Sequence, residues 1–255
     1  MRIKHKLRKF LWKFGYDISG FTPTAHPVAR KKQMFKSYEI DTVLDIGANT
    51  GQFAQDLRKD IGYKKKIFSF EPLSTAFELL KVHSKADMDW EVFNFAIGDT
   101  EEKQEINIAG NSLSSSLLDM MPSHLNAEPR SKYIGRELIE IKTLDSLFSN
   151  LCRTAKNIYM KIDTQGFESK VLKGAEKSLA HIDTVQIEMS LVPLYKDELL
   201  FNEIYTLLSE KGFRLVSIEG VFSDHASGQL LQVDGIFHRA SSICNLQSHQ
   251  SVTLK

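Results

Sequence analysis

The chain has 255 residues, of which 42% are hydrophobic and 25% charged, and its formal net charge is +1. This composition excludes a wholly disordered protein and leaves room for one large α/β domain or two small ones. The near-neutral charge gives no general case for nucleic acid, so no nucleic-acid partner is expected. Neither Cys152 nor Cys244 belongs to a CxxC motif, and no apolar run approaches the ~20 residues that span a bilayer, which together favour a reducing, cytoplasmic location.

The first 14 residues predict a short basic amphipathic helix. Its basic residues are Arg2, Lys4, Lys6, Arg8, Lys9 and Lys13, and its helically spaced apolar residues are Ile3, Leu7, Phe10, Leu11 and Phe14. Such a helix packs on its own domain, frays in solvent or lies on an anionic membrane, although Trp12 falls on the opposite side of the wheel from Ile3. Peripheral membrane contact through residues 1–14 is therefore one of three open alternatives. A loop and a second helix, near 29–40, complete an N-terminal segment over 1–38.

Strand and helix patterns alternate from residue 39 onward. Strands are predicted at 42–47, 66–71, 90–98, 157–163, 184–190, 213–219 and 230–239, and helices near 51–60, 74–84, 168–180 and 200–211. This alternation predicts a mostly parallel sheet with helices on both faces. The last two strands, which no helix separates, predict an antiparallel pair at one edge. The main domain is expected over 39–240, followed by a polar tail over 241–255.

Residues 101–145 interrupt the alternation. Two short strand patterns, QEINIAG and ELIEIKTL, flank the polar stretch NSLSSSLLDMMPSHLNAEPR. An insertion of this length in a compact domain is typical of a functional loop or lid. Its serine-rich part favours binding of a polar acceptor, although a plain turn has the same composition. The residues concerned are Asn111, Ser112, Ser114, Ser115 and Ser116.

The segment VLDIGANTGQFAQDL, residues 43–57, predicts a cofactor site. An apolar strand ends at Asp45, and a turn from Gly47 to Gly51 leads directly into a helix. In open parallel sheets, ligands bind outside the carboxyl ends of the strands at such turns. A dinucleotide fingerprint has a glycine at the middle position of GxGxxG, where this turn has Asn49. The ligand is therefore expected to lack a pyrophosphate.

Two further strand ends extend this predicted site. FSFEP ends the second strand on Glu71, whose carboxylate can accept both hydroxyls of a ribose. FAIGD, at the end of the third strand, places Ala96, Ile97 and Asp99 near the expected adenine. A ribose without a pyrophosphate indicates S-adenosylmethionine, and Asp45 would help to hold its ammonium group.

The segment YMKIDTQGFESKVLKG, residues 159–174, supplies the candidate catalytic acid. Asp163 ends the strand expected beside the first one, so its carboxylate is predicted to lie near the reacting methyl group, as a base or as an electrostatic anchor. Glu188 on the fifth strand is the second candidate. Glu168 is explained equally well as a helix cap, and Lys161 faces the same side as Asp163 but is as often structural. These acids alone do not specify a metal, and the histidines form no HxxxH or HxH cluster, so no metal is predicted.

Five segments together resemble the FkbM family of S-adenosylmethionine-dependent methyltransferases, over about residues 39–239. They are VLDIGANTGQFA, FSFEP, FAIGD, KIDTQGFESKVLKGA and VQIEMSLVPLY. The resemblance implies a class I methyltransferase fold, with a seven-stranded sheet whose last strand is antiparallel, and O-methylation of a hydroxyl on a sugar, glycan or secondary metabolite. It implies cofactor contacts at Asp45, Gly47, Asn49, Gly51, Glu71, Ala96, Ile97 and Asp99. A nicotinamide-dependent oxidoreductase and a non-catalytic cofactor-binding scaffold remain as alternatives.

Overall fold

The computed structural model describes residues 2–240, so the predicted polar tail and Cys244 lie outside the described residues. The strands are β1 Thr42–Ile46, β2 Lys66–Phe70, β3 Trp90–Phe93, β4 Ala96–Ile97, β5 Glu102–Ala109, β6 Tyr133–Lys142, β7 Ile158–Ile162, β8 Thr184–Ser190, β9 Phe213–Ser223 and β10 Leu230–Arg239. The α-helices are α1 Arg2–Trp12, α2 Pro27–Ser37, α3 Gln52–Asp56, α4 Ser74–Ser84, α5 Pro122–Ala127, α6 Leu144–Leu151, α7 Glu168–Gly174 and α8 Phe201–Glu210. A π-helical turn, Leu57–Ile61, follows α3, and the 3-10 helices are Pro129–Ser131 and Ser178–His181.

Seven strands form the central sheet in the order β3-β2-β1-β7-β8-β10-β9. The first five strands in this order run parallel, and β10 is antiparallel to both of its neighbours. This topology confirms the mostly parallel sheet, the antiparallel pair at one edge and the pairing of β1 with β7. The strand order reverses at β1, and ligands of open α/β sheets bind at such a switch point.

Residues of β1 and β7 alternate between two apolar cores, one on each face of the sheet. Leu44 and Met160 pack on the side of α6, α7 and α8, while Val43 and Tyr159 pack on the side of α2, α3 and α4. Every residue of these two strands is buried. Because both faces are covered, the strands read as continuous apolar runs rather than as an alternation.

The predicted strand 90–98 is in fact two strands, which belong to different sheets. The side chain of Asn94 donates hydrogen bonds of 3.0 Å to the carbonyls of Glu71 and Pro72, and the chain turns there. Beyond the turn, β4 pairs with β6 in a second, three-stranded sheet of order β4-β6-β5. The prediction of one strand is therefore wrong, because the asparagine diverts the chain after Phe93.

The insertion forms the antiparallel pair β5 and β6, which confirms and extends its two strand patterns. The helices α5 and α6 were not predicted from the sequence pattern. The predicted helix 168–180 is also too long, since α7 ends at Gly174 and a separate 3-10 helix follows. Gly174 lies against the carbonyl of Gly98, where any side chain would meet backbone.

The N-terminal helix α1 is confirmed, and from residue 5 onward none of its side chains is fully buried. Side chains from residue 5 to residue 25 are exposed, apart from the half-buried Leu11. In the described part of the chain, no helix has both the length and the apolar character that crossing a bilayer requires.

We expect Gly174→Ala to lower the free energy of unfolding by about 1–3 kcal/mol, which is typical of overpacking. An added Cβ would lie 1.8 Å from the carbonyl oxygen of Gly98, so the helix would have to shift. The matched control is Gly20→Ala, where the Cβ meets no described atom within 4 Å. Urea denaturation of the three proteins measures the effect, and equal midpoints for both variants would contradict the close packing.

Candidate active site

A cavity of about 270 Å³ opens at the carboxyl ends of β1, β2 and β7. This volume is near the lower end of the range for ligand pockets. Of the predicted site residues, those that line the cavity are Gly47, Asn49, Glu71, Ala96, Ile97, Asp163 and Glu188. Asp45, Gly51 and Asp99 are not part of its wall. The structure thus brings both candidate catalytic acids and most of the predicted cofactor residues to one cavity.

The turn after β1 lies directly against the end of β7. Gly47 has a φ of +78°, and a Cβ there would lie 1.8 Å from the carbonyl oxygen of Asp163. Only glycine permits this approach together with the left-handed conformation. Gly51, also left-handed, lies against the side chains of Leu80 on α4 and Trp90 on β3, so it serves the packing of these elements against the turn.

Glu71 joins the turn after β1 to the end of β2. Its carboxylate accepts hydrogen bonds from the backbone N–H groups of Asn49, at 2.8 Å, and Leu73, at 2.9 Å. Burial raises the pKa of Glu71 to about 7, and these two hydrogen bonds act in the opposite direction. The group therefore titrates near neutral pH at the rim of the cavity.

Asp45 is completely buried beneath the turn. One of its oxygens accepts a hydrogen bond of 3.0 Å from the Ser69 hydroxyl, and the other lies 3.5 Å from Lys161 Nζ. Burial raises the pKa of Asp45, while the ammonium of Lys161 opposes the shift. The structure thus places Asp45 in the support of the site, and its predicted contact with the cofactor stays a prediction.

Lys161 connects the ends of β1 and β7. Its Nζ donates a hydrogen bond of 2.9 Å to the carbonyl of Gly47 and lies 3.2 Å from the carboxylate of Asp163. Burial lowers the pKa of Lys161, but the charges of Asp163 and Asp45 outweigh it, so that the pKa lies above its ordinary value. Lys161 is therefore a cation at physiological pH, held between two acids.

Gln165 brings the two candidate catalytic acids together. Its Nε2 donates to Asp163 Oδ1 at 2.9 Å and to Glu188 Oε2 at 2.8 Å, while its Oε1 accepts a hydrogen bond of 2.8 Å from the hydroxyl of Tyr195. The backbone of Gln165 is left-handed, with φ of +56°. Gln165 and Tyr195 were not predicted as site residues. The sequence signal that could have indicated Gln165 is its position between Asp163 and Gly166, where the chain turns out of the strand.

Glu188 points from the middle of β8 into the cavity. Besides the bond from Gln165, its Oε2 accepts one of 3.0 Å from Gln232 on β10. Burial, and next to it the charge of Asp163, raises the pKa of Glu188 well above the ordinary value. Glu188 is therefore a stronger base, once ionised, than an ordinary carboxylate.

Glu168 closes the turn that precedes α7. Its Oε1 accepts hydrogen bonds from the backbone N–H of Thr164, at 2.8 Å, and from the hydroxyl of the same residue, at 3.1 Å. Glu168 does not line the cavity, and burial raises its pKa to about 7. These contacts support the structural interpretation of Glu168, in which its carboxylate stabilises the start of α7.

Asp99 does not line the cavity. Its carboxylate forms ion pairs with Lys170, at 3.3 Å, and Lys173, at 2.9 Å, on the exposed side of α7. Asp99 therefore fastens α7 to the chain after β4. The neighbouring Ala96 and Ile97 do line the cavity, and their predicted contact with an adenine stays a prediction.

The serine-rich part of the insertion forms one wall of the cavity. Ser112 and Ser115 line it, and the hydroxyl of Ser116 donates a hydrogen bond of 2.6 Å to the carbonyl of Gln165. His124 lies elsewhere, buried between the rings of Tyr195 and Phe222, and burial lowers its pKa to about 4. The insertion thus contributes its serines to the site and its histidine to the core.

Within residues 2–240, no three His, Cys, Asp or Glu side chains are grouped so that they could hold a metal ion. Two of the three acids that line the cavity, Asp163 and Glu188, share the amide donor of Gln165.

The strand order, the antiparallel β10 and the cavity at the switch point define a class I, Rossmann-like methyltransferase fold. The protein-family model of the methyltransferase FkbM domain matches residues 45–215 of this chain, and the chain belongs to this family. The resemblance inferred from the five sequence segments is therefore confirmed. A search of curated proteins gives no match.

Several solved structures are similar to this chain at low sequence identity. The FkbM methyltransferase from Methylobacillus flagellatus is 13% identical, with a TM-score of 0.46, over 77% of this chain and 44% of that one. TehB from Haemophilus influenzae is 10% identical, with a TM-score of 0.44, over 81% of this chain and 60% of that one. A putative RNA methyltransferase from Pyrococcus horikoshii is 12% identical, with a TM-score of 0.43, over 83% of each chain. This chain thus spans less than two thirds of the length of the first two.

We expect Glu168→Gln to stabilise the protein at pH 8 relative to pH 5. Between its ordinary pKa of 4.5 and its folded value of about 7, the folded protein holds this proton while the unfolded chain releases it. Stability from this group is therefore present at pH 4 and is lost as the pH rises through 7. A glutamine cannot ionise, so the variant should gain about 1–3 kcal/mol over the natural chain between pH 5 and pH 8.

Urea denaturation at the two pH values measures this difference. Glu210→Gln, at the exposed end of α8, is the matched control and should show no such gain. A Glu168→Gln variant whose stability follows that of the natural chain at both pH values would show that the buried carboxyl does not titrate near neutrality.

Proposed function

We propose that this protein is an S-adenosylmethionine-dependent O-methyltransferase whose acceptor is a hydroxyl of a sugar, a glycan or a secondary metabolite. The observation that carries the proposal is the pair of carboxylates, Asp163 and Glu188, which one amide holds at the same cavity as Glu71. Membership of the FkbM methyltransferase family supports methyl transfer, and the donor, the acceptor class and the residue roles are inferred from this arrangement.

The residues at the cavity fit S-adenosylmethionine. Glu71 offers a carboxylate to the ribose hydroxyls, and the glycine turn at Gly47 leaves room for a ligand to approach the backbone. Ala96, Ile97 and Phe167 give the cavity an apolar side that suits an adenine ring. When bound, the cofactor supplies a methyl group on a cationic sulfur.

Glu188 is the better candidate for the base, and Asp163 for an anchor. A sugar hydroxyl is a poor nucleophile, so a base within hydrogen-bond reach assists the loss of its proton as the new bond forms. The charge of Asp163 is balanced by Lys161, whereas burial raises the pKa of Glu188 and so makes its ionised form the stronger base. In this assignment Glu71 and the turn at Gly47 would hold the cofactor that supplies the methyl group, and Glu188 would take the proton that the acceptor hydroxyl loses.

Orientation carries much of the remaining rate. Methyl transfer is an in-line displacement, so the acceptor oxygen has to lie on the axis of the breaking bond. Ser112 lines the cavity from the insertion, and its hydroxyl can hold another hydroxyl of a polar acceptor. The hydroxyl of Ser115 also lines the cavity, but it already donates to the carbonyl of Ser112 and accepts from the N–H of Ala109.

We expect isothermal titration to show binding of S-adenosylmethionine and none of NAD. Glu71→Ala should weaken the affinity about tenfold or more, since it removes charge-assisted hydrogen bonds to the ribose. Because an ionised Glu71 is the better acceptor, affinity should fall as the pH drops below about 7, and Glu71→Gln should abolish that dependence. Asp99→Ala, which removes an acid that pairs with two lysines outside the cavity, is the matched control and should bind normally. No binding at millimolar cofactor would refute the proposed function.

We expect Glu188→Gln to reduce turnover about 10²- to 10⁴-fold, with cofactor affinity close to that of the natural protein. Asp163→Asn should lower affinity and turnover together, as an anchor does. Polysaccharide and small-molecule fractions from a strain that lacks the protein provide unmethylated acceptors, and incorporation of labelled methyl groups measures turnover. The activity of the natural protein should rise with pH as Glu188 ionises. The reverse pattern, in which only Asp163→Asn loses turnover at full affinity, would make Asp163 the base.

A further inference from the structure

The charge of this protein is divided sharply between two parts of the chain. Residues 1–38 hold ten of the 33 Lys and Arg residues and, in Asp17, one of the 32 acids, so this segment carries a net charge of +9. The remaining 217 residues therefore carry −8. A nearly neutral total conceals a strongly cationic segment attached to an anionic domain, and such an asymmetry orients a molecule in the field of a charged surface.

The same segment exposes large apolar side chains. Seven of them between residues 7 and 21 are each more than half exposed, including Phe10 at 56% and Phe14 at 63%. Leu7, Phe10, Leu11 and Phe14 follow the 3.6-residue period and form one face, with Lys6 and Lys13 beside it. An exposed apolar face bordered by lysines is typical of helices that lie in the interface of an anionic membrane.

Asp17 contacts the side of α1 that lies opposite the apolar face. Its carboxylate accepts hydrogen bonds from Arg8, at 2.5 and 2.6 Å, and from the indole N–H of Trp12, at 2.9 Å. Trp12 is about 140° from Leu7 and about 160° from Phe10 around the helix axis. In the sequence, the position of Trp12 argues against a single apolar face. The hydrogen bond to Asp17 explains this position, and the apolar face around Phe10 is left exposed.

A lysine-rich groove continues the cationic surface at one end of the sheet. This open groove of about 980 Å³ lies at the amino ends of β1, β2 and β7, at the opposite end of the strands from the candidate active site. Phe21 lines it, so the chain that follows α1 runs along this end; Glu39 and Asp41 are its acids. The lysines that line it are Lys32, Lys36, Lys64, Lys65 and Lys156.

We propose that residues 5–21 dock this protein on an anionic lipid surface. The apolar face of α1 enters the interface, the lysines of the segment contact anionic headgroups, and the groove lysines follow at the same end of the sheet. Since the strands are about 17 Å long, the cavity opens on the far side of the domain from the lipid. This docking is independent of the proposed methyl acceptor.

Sedimentation with vesicles tests the docking. The full chain should bind phosphatidylcholine vesicles that contain about 30% phosphatidylserine, and 0.5 M salt should weaken the binding at least tenfold. Binding that is equally strong to phosphatidylcholine alone, or absent from both, would overturn the proposal. So would binding to a single-stranded RNA oligonucleotide without binding to the anionic vesicles, because the segment would then be a nucleic-acid contact.

Two sets of variants separate the apolar and the electrostatic contributions. Leu7→Ser/Phe10→Ser should weaken vesicle binding at least tenfold, whereas Met88→Ser/Ile134→Ser, which changes two highly exposed apolar residues of the main domain, should not. Replacing Lys6, Lys9 and Lys13 with Gln should weaken binding about fivefold for each lysine removed. The matched control for charge replaces the exposed lysines Lys85, Lys103 and Lys132 with Gln.

Fluorescence tests the orientation of α1 and guards against a merely unfolded variant. A Phe10→Trp substitution in a Trp12→Phe background should shift its emission to the blue with anionic vesicles, while Trp12 of the natural chain should shift less. Cofactor affinity and circular dichroism should be unchanged in every variant of α1. A larger shift from Trp12 than from position 10, or equal binding by Leu7→Ser/Phe10→Ser and its control, would refute the assigned face.

Discussion

The candidate site depends on one buried ammonium group. Lys161 Nζ lies within 3.5 Å of a backbone carbonyl and two carboxylates, and these belong to the ends of β1 and β7. Taking such charges out of water is costly, and removal of one partner leaves an uncompensated charge, at a cost of about 3–5 kcal/mol. The carbonyl of Gly47 and the carboxylate of Asp163 are thus fixed relative to each other by an electrostatic contact beneath the cavity floor. Glu71 adds the end of β2 to the same framework through two backbone N–H groups.

Much of the fold follows from the sequence because strands buried on both faces are unmistakably apolar. Predicted and observed bounds of β1, β2, β7 and β8 differ by at most one residue at either end. The split of the third strand was not predictable from apolar pattern, since it depends on the side chain of Asn94 reaching backbone carbonyls that are distant in sequence. The helix α6 had a usable signal: Thr143 caps it through the N–H of Ser146, and leucines recur at helical spacing behind it.

Only those residues of the candidate site that lie at strand ends could be predicted from the sequence. The sequence shows which acids follow a strand, but it does not show which of them face the ligand. Asp45 and Asp99 are acids at the positions where the sequence predicts ligand contacts. In the structure, Asp45 is paired with a lysine beneath the turn, and Asp99 is paired with helix lysines. Tyr195 is thirty residues beyond Gln165, so their hydrogen bond is a product of tertiary structure. The sequence therefore does not show the ion pairs and hydrogen bonds that each acid makes in the folded structure, and these contacts decide the role of the acid.

Gln165 gives the site a property that neither acid has alone. Its amide has one orientation only, because a reversed amide would turn its oxygen toward two carboxylates and its N–H groups toward the tyrosine. The amide itself does not titrate in the physiological range, so the donor keeps its hydrogens while the charge of the acids changes. The distance between the two acids is therefore set by the protein itself and not by the molecule that enters. A molecule that enters has to match a fixed spacing, so the shape of the site can select among similar groups of one molecule without any movement of the backbone.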